Sequence, residues 1–427
     1  MSPTIIEVIA WGKTVGAVAL DQTLGAYVFE YDPKWARSGT ELAPLQMPTT
    51  SANKKFAFPS LPASFKRLPG LLCDALPDDF GNALIDAWMA GKGISKNSIT
   101  MLDRLAFMGR RGMGALEFKP ANPSAKKMST ILDMKDLVEV ARLALKGDFK
   151  GDAHAQAALA QMIQVGTSAG GARAKAVVAW NPVTEEIRSG QFDADPGFEH
   201  WLLKFDGIGT DSELGTSADY GRIEYAYYLM ASAAGVEMEP CRLLEESGRA
   251  HFMTKRFDRN GNEKIHMQSL CAMAHMDYKQ RGTHAYEQLF DVIVRLKLGD
   301  SALAEAFRRM VFNIVTRNCD DHTKNHAFIL SSGGQWELSP AYDVTHAHNP
   351  KGEWTSQHLM SVNGRFDDIG VSDMMVVAER FSIPNPSEAI KSVRDAAAQW
   401  TIFAKAAGVS SVQAARVASD FRLVGSN

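Results

Sequence analysis

Apolar and polar residues alternate along the first thirty positions of the chain. Three short runs rich in β-branched and aromatic residues, separated by glycine and polar residues, occur within residues 4–31: IIEVIAW, GAVAL and YVFEY. A period of two is typical of half-buried strands, so this pattern predicts a small meander of strands. A helical period follows at Leu84, Ile85, Trp88 and Met89. The Gly-Lys-Gly that comes after them predicts the end of that helix.

The middle of the chain alternates between strand and helix patterns. A stretch rich in proline and lysine near residue 120 predicts a domain boundary. Residues 132–164 then have helical periodicity, and a glycine-rich loop leads into the apolar run VVAW, which predicts a strand. The segment WLLKF predicts a second strand, and IEYAYYLMASAAGV predicts a helix. A further strand that ends in a polar turn is predicted by HFMTKRFDRNGN.

After about residue 265 the pattern predicts mostly helices. Apolar residues recur on one face of a helix that ends just before residue 318: Leu303, Phe307, Met310, Val311, Ile314 and Val315. This helix delivers Asn318 and the polar stretch NCDDHTKN, residues 318–325, to a fixed place. Two apolar runs around SSGG then predict a β-hairpin, and Asp343 follows its second strand.

Composition narrows the class of protein. The 427 residues predict two or three domains, and 45% apolar with 22% charged residues is typical of a globular protein. With a net charge of −3, the chain lacks the basic excess that unaided binding to nucleic acid requires. Its four cysteines form no C-x-x-C pair, which fits a reducing compartment. No signal peptide or membrane-spanning run is visible, so we expect a cytoplasmic protein without a membrane partner.

The polar stretch at residues 318–325 allows three interpretations. His322 and His326 stand at i, i+4 and on a helix could bind one zinc ion, but Thr323 replaces the usual glutamate and Lys324 adds a positive charge. A solvated polar loop is the second interpretation, and it leaves the flanking apolar helix and hairpin unexplained. The third is phosphoryl transfer.

Phosphoryl transfer requires a base and a set of magnesium ligands. The spacing of Asp320 and Asn325 is that of the kinase catalytic loop, and Asp343 occupies the place of the metal-holding aspartate. One carboxylate accepts the proton of the acceptor hydroxyl, while an amide oxygen and a second carboxylate hold magnesium against the phosphates. This interpretation is specific only if a nucleotide-binding half lies upstream.

Such a half is present upstream. In WLLKF, a period of two separates Lys204 from the apolar face formed by Trp201, Leu203 and Phe205. A lysine in a strand can also be the protective charge of an edge strand. Twenty residues later Glu224 opens a helix, and a strand lysine paired with a helix glutamate orients ATP phosphates in kinases. The loop GTSAGGARAK lets backbone N–H groups approach phosphate, but a strand follows it, so it is not a Walker A loop.

With these motifs in order, the chain resembles the HipA family, the serine/threonine kinase toxins of bacterial type II toxin–antitoxin systems. The resemblance runs through nearly the whole chain. It is carried by six ordered motifs: VGTSAGGARAKA, WLLKF, KRFDR, HMQSLC, NCDDHTKNHAF and LSPAYDV. It implies an α+β, protein-kinase-like two-lobe fold. Its expected parts are a small N-terminal α+β subdomain (1–120), a kinase N-lobe-like segment with the glycine-rich loop (121–260) and a mostly helical C-terminal lobe (261–427).

The resemblance implies ATP and Mg²⁺ as cofactors and a role for each matching residue. Asp320 is the expected catalytic base, Asn325 and Asp343 are the expected magnesium ligands, and Glu224 is the expected partner of Lys204. The expected ATP-binding residues are Gly170, Gly171, Ala172, Arg173, Ala174, Lys175, Lys204, Lys255, Arg256, Phe257, His322, Lys324, Asn325, Tyr342 and Asp343.

Three further residues of these motifs bear on regulation and on departures from the family pattern. Ser168 matches the position at which family members autophosphorylate, eject the loop and lose activity. Asp321 replaces a glycine that is familiar in the family, and we expect it to be solvated rather than a magnesium ligand. Arg173 replaces a familiar glutamine, so the details of phosphate contact differ from the family pattern.

The family resemblance also implies partners. They are a HipB-like helix-turn-helix antitoxin, operator DNA through the antitoxin complex, and a protein substrate, for which an aminoacyl-tRNA synthetase is expected. Two alternatives stay open: an ATP-binding co-repressor without catalytic activity, and a kinase that acts on a non-protein acceptor. Intact Lys204, Asp320, Asn325 and Asp343 argue against the first.

Overall fold

The structure is a computed structural model with an α+β fold, as the sequence predicts. It describes residues 3–77, 79–121, 137–138, 141, 174–207 and 219–422. Most of the helical pattern of 132–164 and the glycine-rich loop up to residue 173 therefore lie outside the described residues. The predicted domain boundaries at 120 and 260 stay predictions.

An antiparallel sheet of five strands, in the order β4-β3-β2-β1-β5, forms the N-terminal part. Its strands are β1 (Ile5–Ala10), β2 (Lys13–Asp21), β3 (Ala26–Tyr31), β4 (Lys55–Phe56) and β5 (Leu116–Lys119). The helices between β3 and β5 are α1 (Pro33–Arg37), α2 (Gly70–Cys73), α3 (Asp79–Gly91) and α4 (Met101–Met108). The predicted meander and the predicted helix up to Gly91 are confirmed, and Leu84, Ile85 and Met89 are buried.

A second antiparallel sheet has the order β7-β6-β8-β10-β9. Its strands are β6 (Lys175–Trp180), β7 (Ile187–Ser189), β8 (Glu199–Lys204), β9 (Cys241–Glu246) and β10 (Arg249–Lys255), and helix α5 (Tyr220–Ala233) connects β8 to β9. Trp201 and Leu203 are buried on one face of β8, and Phe205, just past the end of the strand, is buried with them, as their period predicts. The opposite face carries His200, Leu202 and Lys204.

The C-terminal part is mostly helical. Its helices are α6 (Leu270–Ala274), α7 (Tyr286–Arg295), α8 (Asp300–Thr316), α9 (Val371–Arg380), α10 (Pro386–Ala398), α11 (Trp400–Ala406) and α12 (Ser411–Asp420). Its short strands are β11 (Arg259–Asn260), β12 (Glu263–Lys264), β13 (His266–Ser269), β14 (His284–Ala285), β15 (Ala327–Leu330), β16 (Trp336–Leu338) and β17 (Met360–Ser361). The antiparallel pair β15 and β16 is the predicted hairpin. No helix in the described part of the chain is long and apolar enough to cross a membrane.

Buried apolar residues form two clusters. One combines the N-terminal sheet with residues of β6 and β8, among them Val178 and Leu203. The other combines α5 with the C-terminal helices, among them Tyr227 of α5 and Phe312 of α8. Strand β8 and helix α5 therefore belong to different clusters, and a contact between them joins the two.

A buried ion cluster joins the N-terminal part to the end of β10. The carboxylate of Asp258, fully buried, accepts bonds from Arg256, from Arg259 and from the backbone N–H of Gly114 at 2.7–2.8 Å. Arg259 also donates to the carbonyl of Gly112 at 3.1 Å. Burial alone raises the pKa of Asp258, but Arg256 and Arg259 outweigh burial and lower that pKa below its usual range. Gly114 has φ +73°, and a Cβ there would meet the backbone N of Met267 at 3.0 Å, so a side chain does not fit.

We predict that Asp258→Ala destabilises the protein by about 3–5 kcal/mol, because it leaves two buried guanidinium groups without their carboxylate. The free energy of unfolding from urea denaturation measures this. As a matched control, Asp395→Ala removes an exposed helix partner of Lys391 and is expected to cost about 0.5 kcal/mol or less. A loss below about 1 kcal/mol at Asp258 would contradict its role at this junction.

Candidate active site

Lys204 lies at the centre of the candidate site. It ends β8, which is flanked by β6 and β10, so the interpretation as the charge of an edge strand is wrong. Its Nζ donates to Glu224 Oε1 of α5 at 2.5 Å and to Asp343 Oδ1. The side chain of Glu224 is only 3% exposed. The structure thus brings together the strand lysine, the helix glutamate and the aspartate after the hairpin.

The charged groups at this site keep one another ionised. Burial by itself lowers the pKa of Lys204, but the carboxylates of Asp343 and Glu224 outweigh burial and raise that pKa. Burial raises the pKa of Asp343, whereas the ammonium groups of Lys204 and then Lys175 lower it to about 2. Lys204 and Asp343 are therefore both charged at neutral pH. Asp343 keeps 28% of its side chain exposed, so a charged carboxylate beside a fixed ammonium faces the site.

The catalytic-loop motif begins where α8 ends. Arg317 turns the chain with φ +57°, and the next two backbone N–H groups, of Asn318 and Cys319, donate to the carbonyls of Asn313 and Ala347. The carboxylate of Asp320 is then presented to solvent with its side chain 49% exposed. Exposure of this kind suits a base that must reach an acceptor hydroxyl.

Asn325 closes the loop onto Asp320. Its Nδ2 donates to the carbonyl of Asp320 at 2.7 Å, and its backbone N–H donates to the carbonyl of His322 at 2.8 Å. Asn325 and Asp343 line one cavity of about 20 Å³, together with Tyr342. The two predicted magnesium ligands are therefore neighbours, and their amide and carboxylate oxygens are the donors that magnesium prefers.

Asp321 differs from the expectation of a solvated carboxylate. It is 1% exposed, and its two oxygens accept three hydrogen bonds. Leu359 N donates to Oδ1 at 2.7 Å, while Tyr286 Oη and His358 Nδ1 donate to Oδ2 at 2.8 and 2.9 Å. The expectation was wrong because partners 35 to 38 residues away in the chain bury this side chain. Its neighbour Asp320 takes the exposed position instead.

The two histidines of this stretch do not share a helix face. Only Thr323–Asn325 form a short 3₁₀ turn, and His326 has an extended backbone. The ring of His326 is buried against Tyr286, and burial lowers its pKa to about 4. His322 packs against Tyr278 instead. The i, i+4 geometry that the zinc interpretation requires is therefore not formed.

Tyr342 and Tyr278 contact the loop at Lys324. Tyr342 Oη donates to the carbonyl of Lys324 at 2.6 Å. The Lys324 ammonium lies 4.8 Å from the ring centre of Tyr278. Burial lowers its pKa, but the carboxylate of Asp74, next to α2, and other neighbours outweigh burial and raise it. The attraction between Lys324 and Asp74 connects the loop to the N-terminal part, and the expected ATP contact of Lys324 stays a prediction.

The expected adenine segment, residues 255–257, begins at the last residue of β10. The Lys255 ammonium pairs with Glu199 at 2.7 Å, and the guanidinium of Arg256 is buried against Asp258. The ring of Phe257 lies 5.5 Å from that of Tyr342. The side chain of Arg256 is bonded to Asp258, and its backbone N–H donates to the carbonyl of His200 at 3.0 Å. The expected nucleotide contact of this segment stays a prediction.

The expected phosphate loop enters this sheet next to Lys204. Ala174 and Lys175 are buried at the start of β6, and Lys175 is the cross-strand neighbour of Lys204. Five of the predicted site residues of this loop lie outside the described part of the chain: Ser168, Gly170, Gly171, Ala172 and Arg173.

Sequence reasoning missed two groups of residues around the site. His358 and Tyr286, the partners of Asp321, stand in segments without any local signal of their role. Asp258 had such a signal, because arginines two positions before it and one after it are placed to pair with its carboxylate.

We predict that the ion pair of His358 and Asp321 makes stability fall at alkaline pH. Burial lowers the pKa of His358, but Asp321 outweighs burial and raises it from 6.5 to about 10. Its contribution is thus fully present below pH 6.5 and is lost as the pH rises through about 10. From urea denaturation at pH 7 and 10, the wild type should lose at least about 1.4 kcal/mol more than His358→Gln. Equal losses in both proteins would contradict a charged His358.

Comparison with known proteins identifies the family and the fold. The family model of the HipA-like C-terminal domain matches residues 167–401, and that of the HipA N-terminal domain matches residues 6–119. No curated protein sequence matches the chain. Among solved structures, HipA of Shewanella oneidensis MR-1, in a toxin–antitoxin complex with HipB and operator DNA, has a TM-score of 0.65 and 17% identity, over 97% of this chain and 94% of that chain.

A second solved structure is the proinflammatory kinase CtkA of Helicobacter pylori, with a TM-score of 0.33 and 10% identity over 51% of this chain and 92% of that chain. The likeness to the Shewanella protein shows a common fold. The two family models together span most of the sequence, including every predicted site residue. The chain belongs to the HipA family.

Proposed function

We propose that this chain is a serine/threonine protein kinase that transfers the γ-phosphoryl group of ATP and acts as the toxin of a toxin–antitoxin pair. The observation that carries this proposal is the meeting of Lys204, Glu224 and Asp343. Asp343 lines one cavity with Asn325, whose side chain is bonded to the backbone of Asp320. Phosphoryl transfer depends on positioning and charge neutralisation more than on covalent chemistry. The fixed ammonium of Lys204, the charged carboxylate of Asp343 and the exposed carboxylate of Asp320 support both requirements.

The donor set fits ATP and magnesium. Asp343, with a pKa of about 2, and Asn325 would hold Mg²⁺, and the ion would neutralise charge on the phosphates. Lys204 would contact the phosphates, because its ammonium is bonded to Asp343, the residue that would hold the metal ion. The backbone of 255–257 would line the adenine, with Phe257 and Tyr342 packed behind it.

Asp320 has the role of general base in this proposal. Its carboxylate would accept the proton of a serine or threonine hydroxyl during transfer. A base of this kind contributes about 10²- to 10⁴-fold to the rate. Asp321 has no place among the metal ligands, because both of its oxygens are engaged within the protein.

The family supports specific partners. A HipB-like antitoxin is proposed as the binding partner, and operator DNA is reached through that complex, since the Shewanella HipA forms a complex with HipB and its operator DNA. The net charge of −3 fits this division, because the antitoxin would supply most of the phosphate-binding charge. An aminoacyl-tRNA synthetase is the proposed acceptor and the cytoplasm the proposed location, both from family membership alone.

We predict that Asp320→Ala and Asp343→Ala abolish transfer of label from radioactive ATP, while the Asp320 variant keeps the stability of the wild type because this side chain is 49% exposed. Mass spectrometry of the loop peptide would locate the label, and Ser168 is the expected site. Asp395→Ala, on the exposed face of α10, is the matched control and keeps full activity.

Three outcomes would contradict the proposal. Undiminished transfer by Asp320→Ala would show that Asp320 is not the general base. Binding of ATP without any transfer, either to the chain or to an added aminoacyl-tRNA synthetase, would favour a co-repressor without catalytic activity. Transfer to an added sugar or lipid alone would favour a non-protein acceptor.

A further inference from the structure

The residues on both sides of Asp320 are joined by a closed ring of buried hydrogen bonds. Asn318 Nδ2 donates to Asn313 Oδ1 at 3.0 Å, and Asn313 Nδ2 donates to Tyr286 Oη at 2.9 Å. Tyr286 in turn donates to Asp321 Oδ2 at 2.8 Å. The ring thus leaves the loop at residue 318 and returns to it at residue 321. All four side chains belong to buried residues.

His358 closes the same region from the other side. Its Nδ1 donates to Asp321 at 2.9 Å, its Nε2 faces the Cys319 thiol at 3.9 Å, and its side chain is 1% exposed. The backbone N–H of His358 donates to the carbonyl of Phe366 at 2.9 Å. Strand β17, which follows His358, pairs with β14, which precedes Tyr286. The two donors to Asp321 Oδ2 are therefore held in one framework.

Because this pair is buried, either charged residue without the other would destabilise the fold. Removing a charge from water costs several kcal/mol per ion, and only a well-placed partner with further hydrogen bonds offsets that cost. Asp321 has those bonds, and His358 is its cationic partner. The ion pair is therefore either intact or broken. When it is intact, it holds the backbone at residue 321 in one place.

We infer that the ion pair of Asp321 and His358 is the positioning element of the catalytic loop, which aims the carboxylate of Asp320 at the acceptor hydroxyl. The inference rests on the proposed kinase function and names two residues that act through Asp320. Neither touches the reacting atoms. Displacement of a catalytic group by about 1 Å can cost about 10²-fold in rate, so loss of the pair acts on the transfer step.

The test compares Asp321→Asn, His358→Gln and the double variant in single-turnover transfer of label from radioactive ATP to the full chain. We expect each single variant to lower kcat by about 10- to 100-fold, per molecule competent to bind ATP, with the Kd for ATP changed less than about threefold. The double variant should lose no more than the worse single variant, because the two residues act as a unit.

Asp86→Asn is the matched control. It makes the same change in an aspartate whose side chain is 14% exposed and paired with Arg104 at 2.6 Å, in the N-terminal part. If loss of a buried ion pair acts only by destabilising the fold, Asp86→Asn and Asp321→Asn both keep the kcat of the wild type once the folded fraction is counted. We expect kcat to fall in Asp321→Asn alone.

A second measurement needs no activity. Amide hydrogen exchange of the peptide 318–326 should become faster in Asp321→Asn and stay unchanged in Asp86→Asn. If Asp321→Asn does not fold, Tyr286→Phe removes a single hydrogen bond from the same carboxylate and should produce the same two changes at smaller size.

The outcomes separate this inference from the proposed function. Wild-type kcat with unchanged exchange in Asp321→Asn overturns the inference while the kinase function stands, and so does wild-type kcat with faster exchange. If the wild type itself transfers nothing, the proposed function fails. Faster exchange in Asp321→Asn then still supports the pair as the element that positions the loop, and unchanged exchange overturns it.

Discussion

A lysine held between two carboxylates organises this molecule. Lys204 comes from a strand whose apolar face belongs to one core, and Glu224 comes from a helix that belongs to the other. Asp343 arrives from the segment after the hairpin. An ammonium with only 12% of its side chain exposed is tolerated because both carboxylates offset the loss of hydration. The contact therefore fixes the strand, the helix and the hairpin relative to one another at the point where the proposed phosphates bind.

Two adjacent aspartates of identical chemistry have opposite surroundings. Asp320 is half exposed and lies 3.8 Å from the imidazole of His322, whereas Asp321 is buried and fully hydrogen-bonded. Burial alone raises the pKa of Asp321, but His358 and the surrounding hydrogen bonds outweigh it and lower that pKa, so the side chain stays charged. Of these two neighbouring carboxylates, one therefore faces solvent and the other supports the loop from within. Asp258 supplies a similar support at the junction with the N-terminal part.

The sequence predicts those features that depend on local period. The helix Asp300–Thr316, the hairpin after it and the apolar face of β8 each follow from spacing within a few residues. The pairing of Lys204 with Glu224 was also predictable, because a kinase motif relates them. The order of strands was not predictable, and only that order excludes an edge position for Lys204. The burial of Asp321 depends on Tyr286 and His358, which stand 35 and 37 residues away without a local signal.

The most direct measurement is a crystal structure of the chain with a non-hydrolysable ATP analogue and Mn²⁺, located by its anomalous scattering in place of Mg²⁺. We expect the metal on Asn325 and Asp343, Lys204 on the phosphates, and Asp321 still bonded to His358. Nucleotide and metal bound away from these residues, or metal bound to Asp321, would contradict the proposed site.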